Sequence, residues 1–345
     1  MGFFQPKPQL DEHDIERAQK YLLWEGLTAQ FMGVLTTGAF LVAFTLMLGG
    51  GNKAVGLIAA IAPLAQILQI PAIYVVNWLG HRRMVVVFVA LIGRLFWFVI
   101  AALPWIVTDQ ARIPVLLLSL AGFFCCSSFA GCAFNSWLRD VIPEKIMGKF
   151  FARRMGYATA LGAAVSIAGG VAVDQYTEHF ENALGIYSIL FTIGGIVGVI
   201  GVVWLAKTPE PKLEPTPHMH IFKLLGEPFR DPNFRKLLIF LGVWSFAVNL
   251  AAPFFPVYIL ERLDMSMTWV LGLAVVSQLF NVAFIFLWGG LADRFTNKSV
   301  LTVSGPLFIV SFLFWPFTTM PERYVLTIPL LIGIHVLAGI STAGV

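Results

Sequence analysis

Several side chains that could bind a small molecule or exchange a proton stand alone within long apolar stretches of this sequence. They lie near the midpoints of four stretches, and they are Thr36, Thr37, Ser127, Ser128, Asn249 and His335. A polar group deep in an apolar segment is costly unless it faces a cavity or a neighbouring helix. A hydroxyl can instead bond to a carbonyl of its own helix, and we favour this structural role for the four hydroxyls. For Asn249 and His335 we favour a place in a cavity over a hydrogen bond between helices.

A single arginine, Arg94, lies deep within another apolar stretch and needs hydrogen-bond acceptors. If this stretch returns antiparallel to the preceding one around Gly80, Arg94 lies level with Ile67. Gln66 and Gln69 then share one helix face beside it, because their spacing is i, i+3. We favour a structural cluster of Arg94 with the two glutamines over capture of an anionic solute.

Aromatic residues make up 14% of the chain, and Trp244 is one of several that lie within the apolar stretches. An aromatic ring can stack on a ring-bearing solute. Packing between helices explains the aromatic content more simply and is the role that we favour. Trp244 stays a candidate for solute contact.

Among the mid-depth groups, His335 is the one whose side chain titrates near neutral pH. Glu25 and Asp174 fall at the ends of apolar stretches, where a carboxylate caps or anchors a helix. We therefore hypothesise that proton coupling within this part of the chain passes through His335. A carboxylate beyond Val345 and diffusion without coupling stay open.

The sequence gives no indication of an enzyme or a metal site. It contains no G-x-S-x-G or H-E-x-x-H motif and no mid-depth pair of carboxylates. His218 and His220 offer too few ligands for a metal ion. Three cysteines share one apolar stretch, where packing is a simpler role than disulfide formation, and they are Cys125, Cys126 and Cys132. We expect no enzymatic activity, no metal and no cofactor.

The elements that must position these side chains are long apolar runs. The chain of 345 residues is 58% hydrophobic and 12% charged, whereas soluble domains are about half apolar and about a quarter charged. A helix needs about 20 apolar residues to cross a bilayer. Ten runs meet this length, at 27–48, 55–76, 84–107, 113–138, 155–173, 184–206, 237–260, 269–291, 300–319 and 324–345. They predict an all-α membrane protein.

Lysine and arginine predict the orientation, because cytoplasmic loops carry an excess of them. The N-terminal segment and the loops after runs 2, 4, 6 and 8 contain 18 of the 23 basic residues, and the loops on the opposite side contain four. The N-terminus is therefore expected in the cytoplasm, with the chain in a plasma or inner membrane. The net charge of +4 follows from this topology and gives no reason to expect nucleic acid as a partner.

Six prolines between Thr208 and Arg235 indicate a linker that divides the runs into six and four. We predict a cytoplasmic N-terminal segment at 1–26, a six-helix bundle at 27–206, the linker at 207–236 and a second bundle at 237–345. Residues 10–24 are weakly amphipathic and either lie on the membrane surface or are solvated. The final run ends without a polar tail, which predicts two further helices in a longer chain.

Two loops carry related motifs. The loop after run 8 has the residues Gly289, Gly290, Leu291, Ala292, Asp293, Arg294 and Lys298. This motif resembles the G-x-L-A-D-R-x-x-x-[RK] signature that lies between paired helices of the major facilitator superfamily. The loop after run 2 is a degraded copy, in which Asn77 replaces the acid and three residues remain, namely Gly80, Arg82 and Arg83.

The spacing and a third loop extend the resemblance. Asn77 and Asp293 hold corresponding places in the two motifs, and the offset between them also carries run 1 onto run 7, as tandem bundles require. The loop after run 4 has Asp140 in a D-x-x-P pattern that is also similar to these transporters. The resemblance assigns the motif residues of all three loops to gating.

The resemblance implies a fold of two pseudo-symmetric six-helix bundles, with about ten of twelve transmembrane helices present. It implies that helices 1, 4, 7 and 10 line a central cavity, where the polar midpoint residues lie. The expected function is secondary-active or facilitative transport of a small organic solute by alternating access, with a transporter-like sensor or an intramembrane enzyme as alternatives. The expected partners are the solute, protons and the lipid bilayer, and the chain is expected to be a monomer. The lack of a deep carboxylate in the cavity helices favours neutral or amphipathic solutes.

Overall fold

The computed structural model describes residues 5–8, 10–180, 182–213, 229–319 and 322–344. Within these residues nine helices are long and apolar enough to cross a membrane, and a tenth apolar helix is shorter. We label them in chain order as α1 Glu12–Met47, α2 Asn52–Leu79, α3 Arg82–Ile106, α4 Asp109–Val141, α5 Glu144–His179, α6 Leu184–Lys207, α7 Pro232–Arg262, α8 Met267–Ala292, α9 Asn297–Thr318 and α10 Thr327–Thr342. The predicted class is confirmed, and nine of the ten runs form helices of spanning length, whereas the helix of the tenth run, Thr327–Thr342, is shorter.

The first helix begins well before the predicted run. The carboxylate of Asp11 accepts a hydrogen bond of 2.6 Å from the backbone N–H of Asp14 and caps α1 there. Ala18 and Leu22 are buried in the core of the first bundle. Residues 12–24 therefore form one helix with the first apolar run, and their apolar face packs inside the protein, so the interpretation as a helix lying on the membrane surface was wrong. The solvated interpretation describes only the polar face, where Glu16, Arg17 and Lys20 are exposed.

The apolar runs at 27–48 in α1 and 237–260 in α7 are each interrupted near the middle. In α1, Thr37 is extended, with φ −123° and ψ −171°, and the next residue, Gly38, has φ +61°. In α7 the regular helix ends at Ala251, and a turn that includes Pro253 follows. Since proline has no N–H, the carbonyl of Asn249 loses its α-helical donor. Each interruption leaves helix-terminal backbone groups at mid-segment.

Gly38 and Gly33 provide a matched test of the α1 interruption. A Cβ at either position would meet no atom within 4 Å, so the backbone alone decides the effect. Gly38→Ala should destabilise the protein by about 1–2 kcal/mol, because an L-residue is strained at this positive φ. Gly33→Ala should stabilise it by up to about 1 kcal/mol, because it replaces glycine within a regular helix. Thermal unfolding in detergent measures both, and shifts of the same sign would contradict the backbone account.

The helix boundaries repeat along the chain. The shift that carries Asn52, the start of α2, onto Met267, the start of α8, also carries the start of α3 onto the start of α9. The same shift carries Thr37, which interrupts α1, to the position just before Pro253 in the turn of α7. This shift differs by one residue from the offset between Asn77 and Asp293 in the two loop motifs, so the helices follow nearly the same repeat as the motifs, while the bundle boundaries stay a prediction.

By their contacts the residues fall into two units. The first contains Met1–Leu161 and Leu184–Phe255, and the second contains Gly162–Ala183 and Pro256–Val345. The core of the first unit is built around Trp137, which is fully buried. In the second unit α8 and α10 approach each other closely at Gly339, where a Cβ would lie 3.0 Å from the Cβ of Phe280.

Candidate functional site

Three charged side chains form a buried group in the first unit. One carboxylate oxygen of Glu25 in α1 lies 2.8 Å from Nη2 of Arg154 in α5, and the other lies 3.5 Å from Nη2 of Arg94 in α3. The side chains of Glu25 and Arg94 are 9% and 8% exposed. Arg94 also donates to the carbonyl of Gly198, and Arg154 donates to that of Leu22. We call Glu25, Arg94 and Arg154 the Glu25 group, which carries a net charge of +1.

The Glu25 group lies deep along the helices. Arg94 is twelve residues after Arg82, the first residue of α3, which is about 18 Å of helix at 1.5 Å per residue. The guanidinium of Arg94 meets Glu25 together with Arg154, which directly precedes the apolar run at 155, so this carboxylate is buried inside the unit near the start of that run. The expectation that Glu25 ends a helix was wrong, because α1 begins more than three turns before it, at Glu12.

The two glutamines predicted as partners of Arg94 lie elsewhere. Gln66 is exposed and accepts a hydrogen bond from the amide of Gln69, beside a 3-10 turn of α2 at Gln66–Leu68. The acceptors described for Arg94 are Glu25 and the carbonyl of Gly198. The predicted cluster was wrong because α3 packs mainly against α4 and α6, and much less against α2.

The hydroxyls at the midpoint of α1 bond to their own helix. Thr36 is fully buried and donates to the carbonyl of Met32 at 2.7 Å. Thr37 is half-buried and donates to the carbonyl of Gly33 at 2.7 Å. Both bonds are of the structural kind that we favoured. A second pair of hydroxyls lies on α4, where Ser127 is exposed and Ser128 is buried.

A polar and aromatic cluster in the second unit surrounds Trp315. The indole of Trp315 is buried, and its centroid lies 5.7 Å from that of Tyr258 and 5.8 Å from that of His335. The hydroxyl of Tyr258 lies 3.0 Å from Oγ1 of Thr318 and 3.1 Å from Oγ1 of Thr319. We call these five residues, which come from α7, α10 and the end of α9, the His335 cluster.

The imidazole of His335 is held in one orientation. Its Nδ1 lies 2.8 Å from the carbonyl of Leu331. Because a carbonyl oxygen only accepts, Nδ1 carries a hydrogen, and Nε2 of the neutral ring is then an acceptor. His335 is half-buried, so its ring can meet another molecule.

The other two candidates for solute contact lie on α7. Asn249 is exposed and donates to the carbonyl of Ser245 at 2.8 Å, within its own helix. Trp244 is half-buried and stacks on Phe240 with ring centroids 6.0 Å apart. The part of α7 from Pro232 to Ala251 has no buried residue. The amide of Asn249 therefore donates within its own helix, and not to another helix as the alternative supposed.

The degraded signature holds the start of the linker. Arg82 is fully buried and donates to the carboxylate of Asp140 at 2.5 Å and to the carbonyl of Pro211 at 3.2 Å. Arg83 donates to the carbonyl of Thr208 at 3.2 Å. Asn77, which replaces the acid of the signature, is exposed. Asp140, in the last turn of α4, supplies the acid partner of Arg82 in its place.

Glu210 and the N-terminal residues complete this contact. Glu210 is 1% exposed, and its Oε1 lies 3.9 Å from Nε of Arg82. Burial raises the pKa of the Glu210 carboxyl above its ordinary value. The N–H of Lys7 donates to the carbonyl of Glu210 at 2.8 Å, and the N–H of Lys212 donates to the carbonyl of Lys7 at 2.9 Å. We call the set Lys7, Arg82, Arg83, Asp140 and Thr208–Lys212 the linker clamp.

The motif residues of the two loops have different surroundings. Gly80 has φ +63° and ends α2, a conformation that glycine adopts without strain. Gly289 lies inside α8 and has no positive φ, and a Cβ at either glycine would meet no atom within 4 Å. Leu291 is half-buried, the guanidinium of Arg294 lies 5.6 Å from the ring centroid of Phe295, and Lys298 is exposed. The side chain of Asp293 lies outside the part of the chain that the structure describes.

Asp174, near the end of α5, caps the start of α8. Its two carboxylate oxygens each accept a hydrogen bond of 2.9 Å, one from the N–H of Met267 and one from that of Thr268. A carboxylate at a helix N-terminus satisfies free donors and complements the helix dipole. The prediction that Asp174 caps or anchors a helix is confirmed.

Potential metal ligands are few in the described residues, which contain no group of three or more His, Cys, Asp or Glu side chains able to hold a metal ion. His218 and His220 lie outside those residues. The three cysteines are free and half-buried, at Cys125, Cys126 and Cys132.

The order of helices, the linker and the repeated spacing agree with one known family. A sequence model described as Major Facilitator Superfamily matches residues 26–345. The chain belongs to the major facilitator superfamily. It is an integral, multi-pass membrane protein of a transporter family, and the resemblance of its loop motifs is confirmed.

Solved structures of other superfamily transporters share the fold. A mutant of the nucleoside transporter NupG has a TM-score of 0.71 and 14% identity, over 95% of this chain and 80% of that one. A bacterial homologue of the human lysosomal transporter Spinster, in an inward-facing and unoccupied conformation, has a TM-score of 0.67 and 15% identity, over 97% and 74% of the chains. A D-xylose–proton symporter has a TM-score of 0.60 and 14% identity, over 95% and 80%. No curated protein matches this chain in sequence.

Sequence reasoning missed several residues of these groups and misplaced Glu25, and Glu25 and Tyr258 show why. Glu25 was assigned to a helix end, although the charges at Asp14, Glu16 and Arg17 follow a capping residue and could have placed the helix start earlier. Tyr258 was not selected, because no spacing rule connects it to Thr318, which lies far along the chain on another helix.

Proposed function

We propose that this superfamily member carries a small neutral or amphipathic organic solute by alternating access, and that the His335 cluster takes part in recognising it. The observation that carries this proposal is the cluster itself. Tyr258 and His335 are half-buried rings that both contact a buried indole, and they present a phenol and a ring nitrogen beside apolar surface. Mostly apolar, aromatic surroundings with a few placed polar groups are typical of small-molecule sites.

The interruptions of α1 and α7 support the same proposal. Carriers commonly place unpaired backbone groups of interrupted helices at the depth of the solute. Here Gly38 is exposed, and it starts a helix whose first N–H groups have no intrahelical acceptor. In α7, Pro253 removes the donor from the carbonyl of Asn249. Both positions lie at mid-segment, where polar groups are otherwise scarce.

The choice of solutes to test follows from the cluster's chemistry. A nucleoside has a flat ring that can stack on an aromatic side chain and hydroxyls that can bond to a phenol or imidazole. A sugar has the hydroxyls alone. Structures named as a nucleoside transporter and a D-xylose–proton symporter share this fold. We therefore place nucleosides first in the panel, followed by sugars, organic acids and amphipathic drugs.

Uptake into proteoliposomes tests the proposal. Tyr258→Phe keeps the ring and removes the hydroxyl that lies beside Thr318 and Thr319. If this hydroxyl bonds to the solute, loss of that one hydrogen bond corresponds to roughly a two- to tenfold higher KM. Tyr324→Phe is the matched control, because the Tyr324 hydroxyl bonds to a backbone carbonyl, that of Phe317, outside the cluster. Equal KM values for the two variants would exclude the cluster from recognition. A wild-type protein that binds a solute and transports none would support the sensor alternative.

For energy coupling we propose that His335 exchanges the proton. Glu25 is another buried titratable group, but two arginines already pair with it. His335→Gln should abolish the dependence of uptake on external pH, because glutamine cannot exchange a proton near neutral pH. Uptake measured across a pH gradient is the readout, and a full pH response in this variant would contradict the assignment.

The orientation is also proposed from the charge distribution, with the N-terminus and linker in the cytoplasm. Lys7 and Glu210 are hydrogen-bonded, so the N-terminal segment and the start of the linker lie at the same end of the first unit. The excess of lysine and arginine on these segments supports the cytoplasmic assignment.

A further inference from the structure

A cavity of about 440 Å³ lies in the first unit between α1 and α5, and its lining includes no residue of the Glu25 group or of the linker clamp. The α1 residues that line it, from Glu16 to Leu23, are separated by three, one and three positions. The α5 residues that line it, from Ile146 to Arg153, have the same spacing. This spacing means that one continuous face of each helix borders the cavity. The volume is within the range of sites for small ligands.

The charges that line the cavity are mainly positive. Lys20, Lys149 and Arg153 face one acidic residue, Glu16, so the lining has a net charge of +2. None of the ion pairs among the described residues involves any of these three cations. The guanidinium of Arg153 lies 5.5 Å from the ring centroid of Tyr157, a contact that leaves its charge uncompensated. Three cations without a carboxylate partner attract an anion to the cavity.

The remaining wall of the cavity is apolar apart from the amide of Gln19. Leu23 is half-buried there, and Phe150 is 7% exposed and belongs to the core of the unit. Lys20 lies shortly before the apolar run that starts at 27, and Arg153 lies just before the run that starts at 155. The cations therefore lie at the boundary of the apolar runs, at the level of lipid headgroups, where basic side chains attract anionic lipids.

We propose that this cavity binds an anionic phospholipid, with the phosphate-bearing headgroup at Lys20, Lys149 and Arg153 and the start of the acyl chains against Leu23 and Phe150. A phosphate-bearing solute from water would satisfy the cations and leave the apolar wall uncovered, whereas a lipid satisfies both. The site is independent of the proposed solute site, because it shares no residue with the His335 cluster.

Lipid binding by the purified protein tests the proposal, with bound lipid counted by native mass spectrometry. The protein is titrated with phosphatidylglycerol, with phosphatidylcholine and with inorganic phosphate as the competing water-soluble anion. The triple variant Lys20→Gln, Lys149→Gln, Arg153→Gln removes the cations of the cavity. The control Arg17→Gln, Arg139→Gln, Lys145→Gln removes the same charge from exposed positions that do not line the cavity.

We expect phosphatidylglycerol to bind the wild-type and control proteins alike, and to bind the cavity variant roughly a hundredfold more weakly, since each cation contributes to attraction of an anionic lipid. Equal loss in the two triple variants would overturn the proposal and indicate general charge attraction. Displacement of the lipid by inorganic phosphate, or equal binding of phosphatidylcholine, would overturn it as well. The single reversal Lys149→Glu, at one exposed side chain, should weaken binding about tenfold or more and keeps the test valid if the triple variant does not fold.

Discussion

Glu25→Gln should lower the free energy of unfolding by about 3–5 kcal/mol, because it removes the carboxylate that pairs with two buried or part-buried arginines. Arg94 is 8% exposed and Arg154 is 21% exposed in the folded protein. A glutamine side chain can accept one hydrogen bond from them but cannot neutralise either charge. The cost is large because water cannot reach Arg94 to replace the lost carboxylate.

Thermal unfolding in detergent, followed by the fluorescence of the tryptophans, measures this effect. Glu16→Gln is the matched control, because Glu16 lies on the same helix and is exposed. The double variant Glu25→Leu, Arg94→Leu should recover much of the lost stability, since removing both charges leaves fewer unpaired groups than removing one. Equal unfolding temperatures of the Glu25→Gln and Glu16→Gln proteins would refute the ion-pair account.

Arg82→Gln should cost a similar amount, about 3–5 kcal/mol, and should also release the start of the linker. Its fully buried guanidinium bonds to Asp140 and to the carbonyls of Ser136 and Pro211. Without it, Glu210 stays buried with one fewer cation beside it. Hydrogen exchange of residues 208–212 should become faster, because these residues lose a contact that fixes them to α3 and α4.

Arg139→Gln is a stringent control for this prediction. Arg139 also lies near Asp140, at 3.9 Å, but its side chain is 78% exposed, so the pair contributes little to stability. Arg82→Lys keeps the charge but loses the planar fork that reaches several acceptors, and it should therefore restore only part of the stability. If hydrogen exchange at 208–212 changed equally in the Arg82→Gln and Arg139→Gln proteins, the linker clamp would not depend on the buried arginine.

The fold could be predicted from the sequence because its main signal is local. A run of about 20 apolar residues is sufficient to indicate a membrane helix. The ends of the helices were harder to predict, because α1 and α5 continue past the apolar runs into charged sequence. There the cap at Asp11 and the burial of Leu22, not hydrophobicity, decide where α1 begins.

The contacts of the candidate site also divide into local ones, which the sequence predicts, and contacts between helices, which it does not predict. The hydroxyl bonds of Thr36 and Thr37 each join residues one turn apart on one helix, and a rule of helix geometry predicts them. The partners of Arg94 and Tyr258 come from other helices that are distant in sequence. Which helices pack together depends on the sum of many side-chain contacts, and no pattern in one segment contains that information.

The bonds of Lys7 to the linker have a consequence for how the protein is made. The backbone of Lys7 bonds to Glu210 and Lys212, and the first six helices lie between these partners in the sequence. At a synthesis rate of about 5–20 residues per second, the ribosome needs roughly 10–40 seconds to add the roughly 200 residues that separate them. For that time the N-terminal residues have been translated but their partners do not yet exist. The first unit can therefore complete this part of its structure only after the sixth helix has been translated.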